Sequence, residues 1–287
     1  MAKSALLKSS VAKKYWMALT GLFLCLFLVG HLAGNLQLIF GTALQFNEYA
    51  LFMTTNPAVK ILSYLTYISI VFHAIDGIVL TIQNKKARPI GYAKNNAAAN
   101  SAWASRNMAI LGTLVLVFIA THMINFWAKM HFDKNMPLMV QTIEVQPGMP
   151  QDFYIGRQTG QFFPVEQVKK AGEADDANFP KQLEIKNGTE LYNAQVNVKM
   201  GELYKDLHKI TIDFFKDAKY GLYFTLFYVF SMLVLAFHLL HGFSSAFQSL
   251  GINNPKYNGF IKGLGKGFAI IVPLLFAIIP LYIHFLK

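Results

Sequence analysis

The chain is poor in cysteine, in acid and in charge of either sign, and each shortage closes off a class of function. A single cysteine, Cys25, in 287 residues excludes an internal disulfide, a c-type haem attachment, and an iron–sulfur cluster ligated by cysteines of this chain. Only 14% of the residues are charged while 54% are apolar, a balance that belongs to a lipid environment. Acids number 15 against 26 bases. Thirteen of those acids lie between Lys129 and Lys219, where twelve bases nearly offset them, so the net charge of +11 resides in the rest of the chain. There the cations flank apolar runs, and membrane orientation and anionic headgroups account for them; no nucleic-acid binding is expected. No internal repeat or low-complexity run is present.

What the chain has in quantity is long apolar stretches. A helix needs roughly 20 mostly apolar residues to cross about 30 Å of hydrocarbon, and five stretches qualify: Tyr15–Phe40, Val59–Gln83, Ser105–Ala128, Tyr220–Phe247 and Leu264–Leu286. The first follows Lys13 and Lys14 but is too long for a signal peptide, carries His31 and Asn35, and has no small-residue cleavage site, so it reads as an uncleaved span. Cations crowd the N-terminus (Lys3, Lys8, Lys13, Lys14), the second loop (Lys85, Lys86, Arg88, Lys94, Arg106) and the fourth loop (Lys256, Lys262, Lys266), whereas residues 41–58 have none. The positive-inside rule then places the N-terminus and both basic loops in the cytoplasm, here of a bacterial cytoplasmic membrane. Tyr15, Trp16 and Trp127 fall where interfacial aromatic belts sit. Three segments follow: spans one to three in residues 1–128, a polar extracytoplasmic insert in 129–219 with no catalytic motif, and spans four and five in 220–287. The expected fold is an all-α integral membrane bundle of five helices with this insert between helices three and four.

Five of the eight histidines, His31, His73, His122, His238 and His241, lie inside four of the apolar runs. A polar side chain in hydrocarbon is costly and needs a partner or a job. One such histidine reads as readily as an interhelical hydrogen bond; four helices that each supply one point to a shared ligand. Haem iron takes neutral imidazole at its axial positions, and the macrocycle needs apolar walls and small residues beside it. Gly30, Gly34, Gly77 and Gly242 stand next to or one turn from these histidines. Depth sorts them into pairs. His31 and His122 lie past the middle of outward-running helices. His73 lies at or past the middle of an inward-running one, and His238 and His241 in the inward half of another. The pairs are His31 with His122 around an outer haem, and His73 with His241 or His238 around an inner one. His284, at the outer end of span five, reads as interfacial.

The stretches Trp16–Asn35, Val71–Gly77 (VFHAIDG), Phe118–His122 (FIATH) and above all Phe237–Gly251 (FHLLHGFSSAFQSLG) resemble the dihaem, five-helix cytochrome b subunit of succinate dehydrogenases and fumarate reductases, particularly the b558-type branch. The resemblance covers all five spans. It implies two b haems, axial ligands His31, His122, His73 and His241, and first-with-third and second-with-fourth pairing. It places the fourth ligand immediately before a glycine, which is His241 here, with His238 one turn away as a neighbour to a propionate or quinone. It also implies a membrane quinone, with menaquinone the expected type, a flavoprotein subunit and an iron–sulfur subunit on the cytoplasmic face, and possible assembly into a higher oligomer. Members that couple fumarate reduction to a proton route carry a glutamate where this chain has Leu239, which tilts the reading toward succinate oxidation.

Two acids are candidates for quinone protonation, each with a structural alternative. Asp76 follows His73 by one turn and equally suits a hydrogen bond across the bundle. Glu48 lies in the loop after the first span and equally suits an exposed loop position. Arg106 and Lys13 could neutralise propionates or serve as ordinary positive-inside charge. Two other functions compete: a dihaem cytochrome of the nitrate reductase or formate dehydrogenase kind, which concentrates its ligands on fewer helices, and a haem-free transporter or scaffold that uses histidines as polar glue.

Overall fold

A computed structural model of the protein describes residues 9–87, 89–90, 96–157, 160–170, 173 and 181–287. Lys3, Lys8, Arg88 and Lys94, four of the cations used to assign orientation, lie outside these residues. Five helical runs are long and apolar enough to cross a membrane: Ser10–Phe40, Pro57–Lys86, Met108–Phe132, Gly221–Ser249 and Pro255–Leu286. The chain divides into two compact units.

The first unit takes in residues up to Ile39, Thr55–Thr121 and Phe215–Lys287. Its helices start where local chemistry supplies caps. In α1 (Ser10–Asn35) the Ser9 hydroxyl accepts from the Ala12 amide. A second helix, α2 (Ala43–Thr55), belongs to the other unit. In α3 (Pro57–Lys86) the Asn56 side chain accepts from the Ala58 and Val59 amides, Pro57 takes the first turn, and Lys85 and Lys86 face the negative end of the helix dipole. The third apolar run is α4 (Met108–His122), continued through a π-turn at Met123–Ala128 and a last turn Lys129–Phe132. The expected unbroken start at Ser105 gives way to a separate short turn, Trp103–Arg106. After a short amphipathic helix α5 (Leu207–Lys216) come α6 (Gly221–Ser249) and α7 (Pro255–Leu286). The last begins at Pro255 rather than at Leu264, because Asn254 caps it and Pro255 pre-sets its first turn.

Within this unit Cys25, Leu239, Phe243 and Ala269 form one core cluster joining α1, α6 and α7, and Ala104, Leu111 and Val234 form another beside α4. Gly265 marks the close approach of α7 to α6. A Cβ there would stand 2.8 Å from Phe243 Cδ1 and 3.2 Å from Ser244 Oγ, so only glycine lets α7 seat on α6 at this level. Leu26, Ile61, Ile110 and Ile271 remain exposed, as suits faces that meet hydrocarbon rather than water.

The second unit comprises Phe40–Thr54 and His122–Phe214. The all-α expectation does not extend to it. Strands β1 (Val140–Gln146), β2 (Met149–Ile155) and β3 (Phe162–Pro164) form one antiparallel sheet, and β4 (Val168–Lys169), β5 (Leu183–Lys186), β6 (Glu190–Asn193) and β7 (Lys199–Glu202) form a mixed sheet in which β4 runs parallel to β5. Tyr154, Val168, Ile185, Leu191 and Leu203 make its core. The segment expected as a loop after the first span is α2, and it is built into this unit. Asn47, only 2% exposed, donates from its amide to Asp206 at 2.8 Å and accepts from the His208 amide at 3.0 Å. Ala43, Leu44 and Leu51 of the same helix pack on Met139, Ile155 and Tyr204.

Candidate cofactor site in the helical bundle

The structure brings the inner histidines together. The rings of His73 on α3 and His238 on α6 face each other edge-on with centroids 6.2 Å apart. Two imidazoles sharing one metal at the usual bond length of about 2 Å stand roughly this far apart. His73 Nδ1 lies 3.2 Å from Thr20 Oγ1. The Thr20 hydroxyl donates its own proton to the Trp16 carbonyl at 2.8 Å, so toward His73 it can only accept. With Thr20 as the acceptor, the proton of His73 would sit on Nδ1 and leave Nε2 unprotonated, the form in which imidazole binds a metal. The Nδ1 of His238 is buried and has no hydrogen-bond partner among the described residues.

Glycines stand against both rings. A Cβ on Gly21 would meet His73 Cε1 at 3.2 Å, and one on Gly112 would meet His238 Cε1 at 3.6 Å. Beside Gly77, one turn past His73, the nearest atom is Met17 Cε at 3.8 Å; beside Gly242, which follows His241, it is Met108 Cε at 3.6 Å. A methionine tip is the most movable apolar filler a core can hold, so a flat apolar group could take its place against bare helix backbone at both positions. Donors, walls and displaceable filler fit a b haem on this side of the bundle.

The other expected residues are placed as follows. His241 lies on α6 one turn beyond His238 and lines a cleft with Ser244, Ser245 and Gln248 of the same helix and Lys262 and Lys266 of α7. His31 stacks on Phe27 at 5.2 Å and lies 5.7 Å from Phe276 of α7, with Asn35 Nδ2 at 3.5 Å from its ring. His122 ends α4 directly before the π-turn and packs 5.4 Å from Phe126. His31 belongs to the first unit and His122 to the second. Asp76 is half-buried one turn after His73 and makes no hydrogen bond among the described residues. Glu48 is exposed, on α2 rather than in a loop. Its charge and, more strongly, burial push the Tyr204 hydroxyl above its ordinary range. His284 Nδ1 donates to the Phe215 carbonyl at 2.7 Å, an anchor at the end of the last span.

Thr20, Met17 and Met108 were not among the residues singled out from the sequence. A threonine whose hydroxyl can bond its own helix gives no sequence signal, and methionines in apolar runs are ordinary core. Among the described residues no group of three or more His, Cys, Asp or Glu side chains gathers as a metal site; a haem needs only two. No protein-family model, curated protein or solved structure matches the chain.

Proposed function

We propose that the chain is the membrane-anchor cytochrome b subunit of a succinate:quinone oxidoreductase or quinol:fumarate reductase, carrying electrons between an iron–sulfur partner and membrane quinone. The observation that supports this reading is that α3 and α6 bring the His73 ring within 6.2 Å of His238, one turn from His241 on the same helix.

A bound b haem supplies one-electron chemistry at its iron, and the protein supplies ligation, orientation and exclusion of water. His73 offers Nε2 from one side. On the fourth span the resemblance names His241 as its partner, and the ring geometry brings His238 nearest to His73. His241 has the filler that can yield, Met108 over Gly242, whereas His238 is confined between His73 and Gly112. We assign His241 as the ligand and His238 as its polar neighbour. Depth along their own helices assigns His31 and His122 to the outer haem. Asp76 and Glu48 are the acids available to a quinone at the two levels, and the flavoprotein and iron–sulfur subunits dock on the face that carries Lys85, Lys86 and Lys262.

The test is pyridine haemochrome stoichiometry on the purified chain, with identification of copurifying subunits. Two haems per chain and a flavoprotein–iron–sulfur pair are expected. A haem-free chain would overturn the reading in favour of a transporter or scaffold, and two haems with a different partner set would assign it to another membrane oxidoreductase.

A further inference from the structure

Where α6 leaves the apolar zone, a cleft of about 240 Å³ opens between it and α7. Ser244, Ser245 and Gln248 line it from α6, and Lys262 and Lys266, one turn apart, line it from α7. No acid lines it, and neither lysine is paired with a carboxylate among the described residues. Gly265, between the two lysines, lets α7 lie close against Phe243 and Ser244 beside the cleft. Two cations, two hydroxyls and an amide converge on one small volume, a donor set for a tetrahedral oxyanion. Next to the lysines α7 presents Phe260 and Leu264, 71% and 51% exposed. These two point away from the lysines, as i and i+2 positions of a helix do, so α7 turns an apolar face to hydrocarbon and a cationic one to the cleft. The position matches a lipid headgroup, since the cleft sits at the end of two spans on the basic side.

We propose that this cleft seats the phosphate of an anionic phospholipid, with Lys262 and Lys266 as its charge partners and Ser244, Ser245 and Gln248 as neutral donors. His241, the haem ligand of the proposed function, also lines the cleft, so haem content is measured beside lipid binding in every variant.

The test uses the purified full chain in uncharged detergent. Binding and thermal stabilisation are measured with phosphatidylglycerol, phosphatidylcholine and inorganic phosphate in parallel. Phosphatidylglycerol is expected to bind and raise the melting temperature while phosphatidylcholine does not, and the affinity should weaken as salt screens the lysines. The double variant Lys262→Ala, Lys266→Ala should bind phosphatidylglycerol at least about ten-fold more weakly, and Lys262→Arg, Lys266→Arg should retain it, since either cation pairs with phosphate. Both lysines are exposed, so the variants should melt like the parent in phosphatidylcholine. Stabilisation by inorganic phosphate alone, equal to that by the lipid, would support the phosphate chemistry but assign a soluble source. Equal binding of the two lipids, or an unchanged alanine variant, overturns the proposal. So does loss of haem from the alanine variant with phosphatidylglycerol binding intact, which would give the cleft to haem carboxylates.

Discussion

Thr20 Oγ1 on α1 lies 3.2 Å from His73 Nδ1 on α3 and 2.8 Å from the Trp16 carbonyl. A threonine whose proton goes to its own helix can accept from a histidine on the neighbouring one. Thr20→Val keeps the shape and removes the acceptor. Partners of this kind are worth about 10–100-fold in metal affinity, so the variant should lose the inner haem on dilution or retain it with a shifted potential. Thr20→Ser should restore both. Visible spectra and redox titration of the purified chain are the measurements, and unchanged values for Thr20→Val would remove Thr20 from the site.

His238 and His241 point within about 60° of each other on one helix, and single substitutions separate them. His241→Ala should abolish the inner haem. His238→Ala should leave it bound with an altered potential. The opposite result would make the ring pair at 6.2 Å the ligand pair and shift the fourth span's register against the resemblance by one turn.

Two helical glycines on α7 make a matched pair. Gly265→Ala places a methyl 2.8 Å from a Phe243 ring carbon, whereas at Gly263 a Cβ meets nothing within 4 Å. Overpacking of this kind costs about 1–3 kcal/mol, while Gly→Ala in open helix gains roughly 0.5–1 kcal/mol. Thermal unfolding in detergent should therefore move in opposite directions for the two variants.

Asn47 is fully enclosed and satisfies two groups at once, the Asp206 carboxylate and the His208 amide. Asn47→Leu leaves the His208 amide without this acceptor, at about 1–3 kcal/mol, and the Asp206 carboxylate with the Lys209 amide but not Asn47. The expected effect is selective loosening of the second unit, seen as protease cleavage within residues 140–202 while the apolar helices stay intact.

The same unit should respond to pH through one ion-pair chain. Lys199 holds Glu190 at 2.6 Å and Glu202 at 2.8 Å, and Glu202 also meets Arg157 at 2.8 Å. Hydrogen bonds from Lys199 pull both glutamates below the usual carboxylate range, and those glutamates push Lys199 above its own. A lowered carboxylate contributes stability above its unfolded pKa of about 4.3 and loses it as pH falls through the folded value. The raised lysine contributes below about 10.4 and loses its share above that. Protease resistance of this unit should be flat between those limits and fall outside them. The pairs are solvent-screened, so the change should be small, and Glu190→Gln with Glu202→Gln should weaken its acid limb, leaving the share of the Glu173–Lys181 pair.

The spans were legible because hydropathy over twenty residues is a strong signal, and their boundaries moved only where caps decide them, as at Asn254–Pro255. Three features were not legible. Helix α2 carries Asn47, Glu48 and Thr54 at modest hydropathy and reads as a loop until Asn47 is seen to meet Asp206, far along the chain. Strand β1 is exposed at almost every position, so it lacks the alternation that marks a half-buried strand. For the candidate site, residue type and depth found the histidines, but which of two rings one turn apart meets His73 depends on helix rotation, which packing sets.

The π-turn at Met123–Ala128 sets the angular phase of its helix. A wide turn takes about one residue more than an α-turn, so Lys129–Phe132 face a direction that an uninterrupted α-helix from Met108 would not give them. Deleting one residue from 123–128 would turn everything beyond the deletion by about 100° relative to what precedes it.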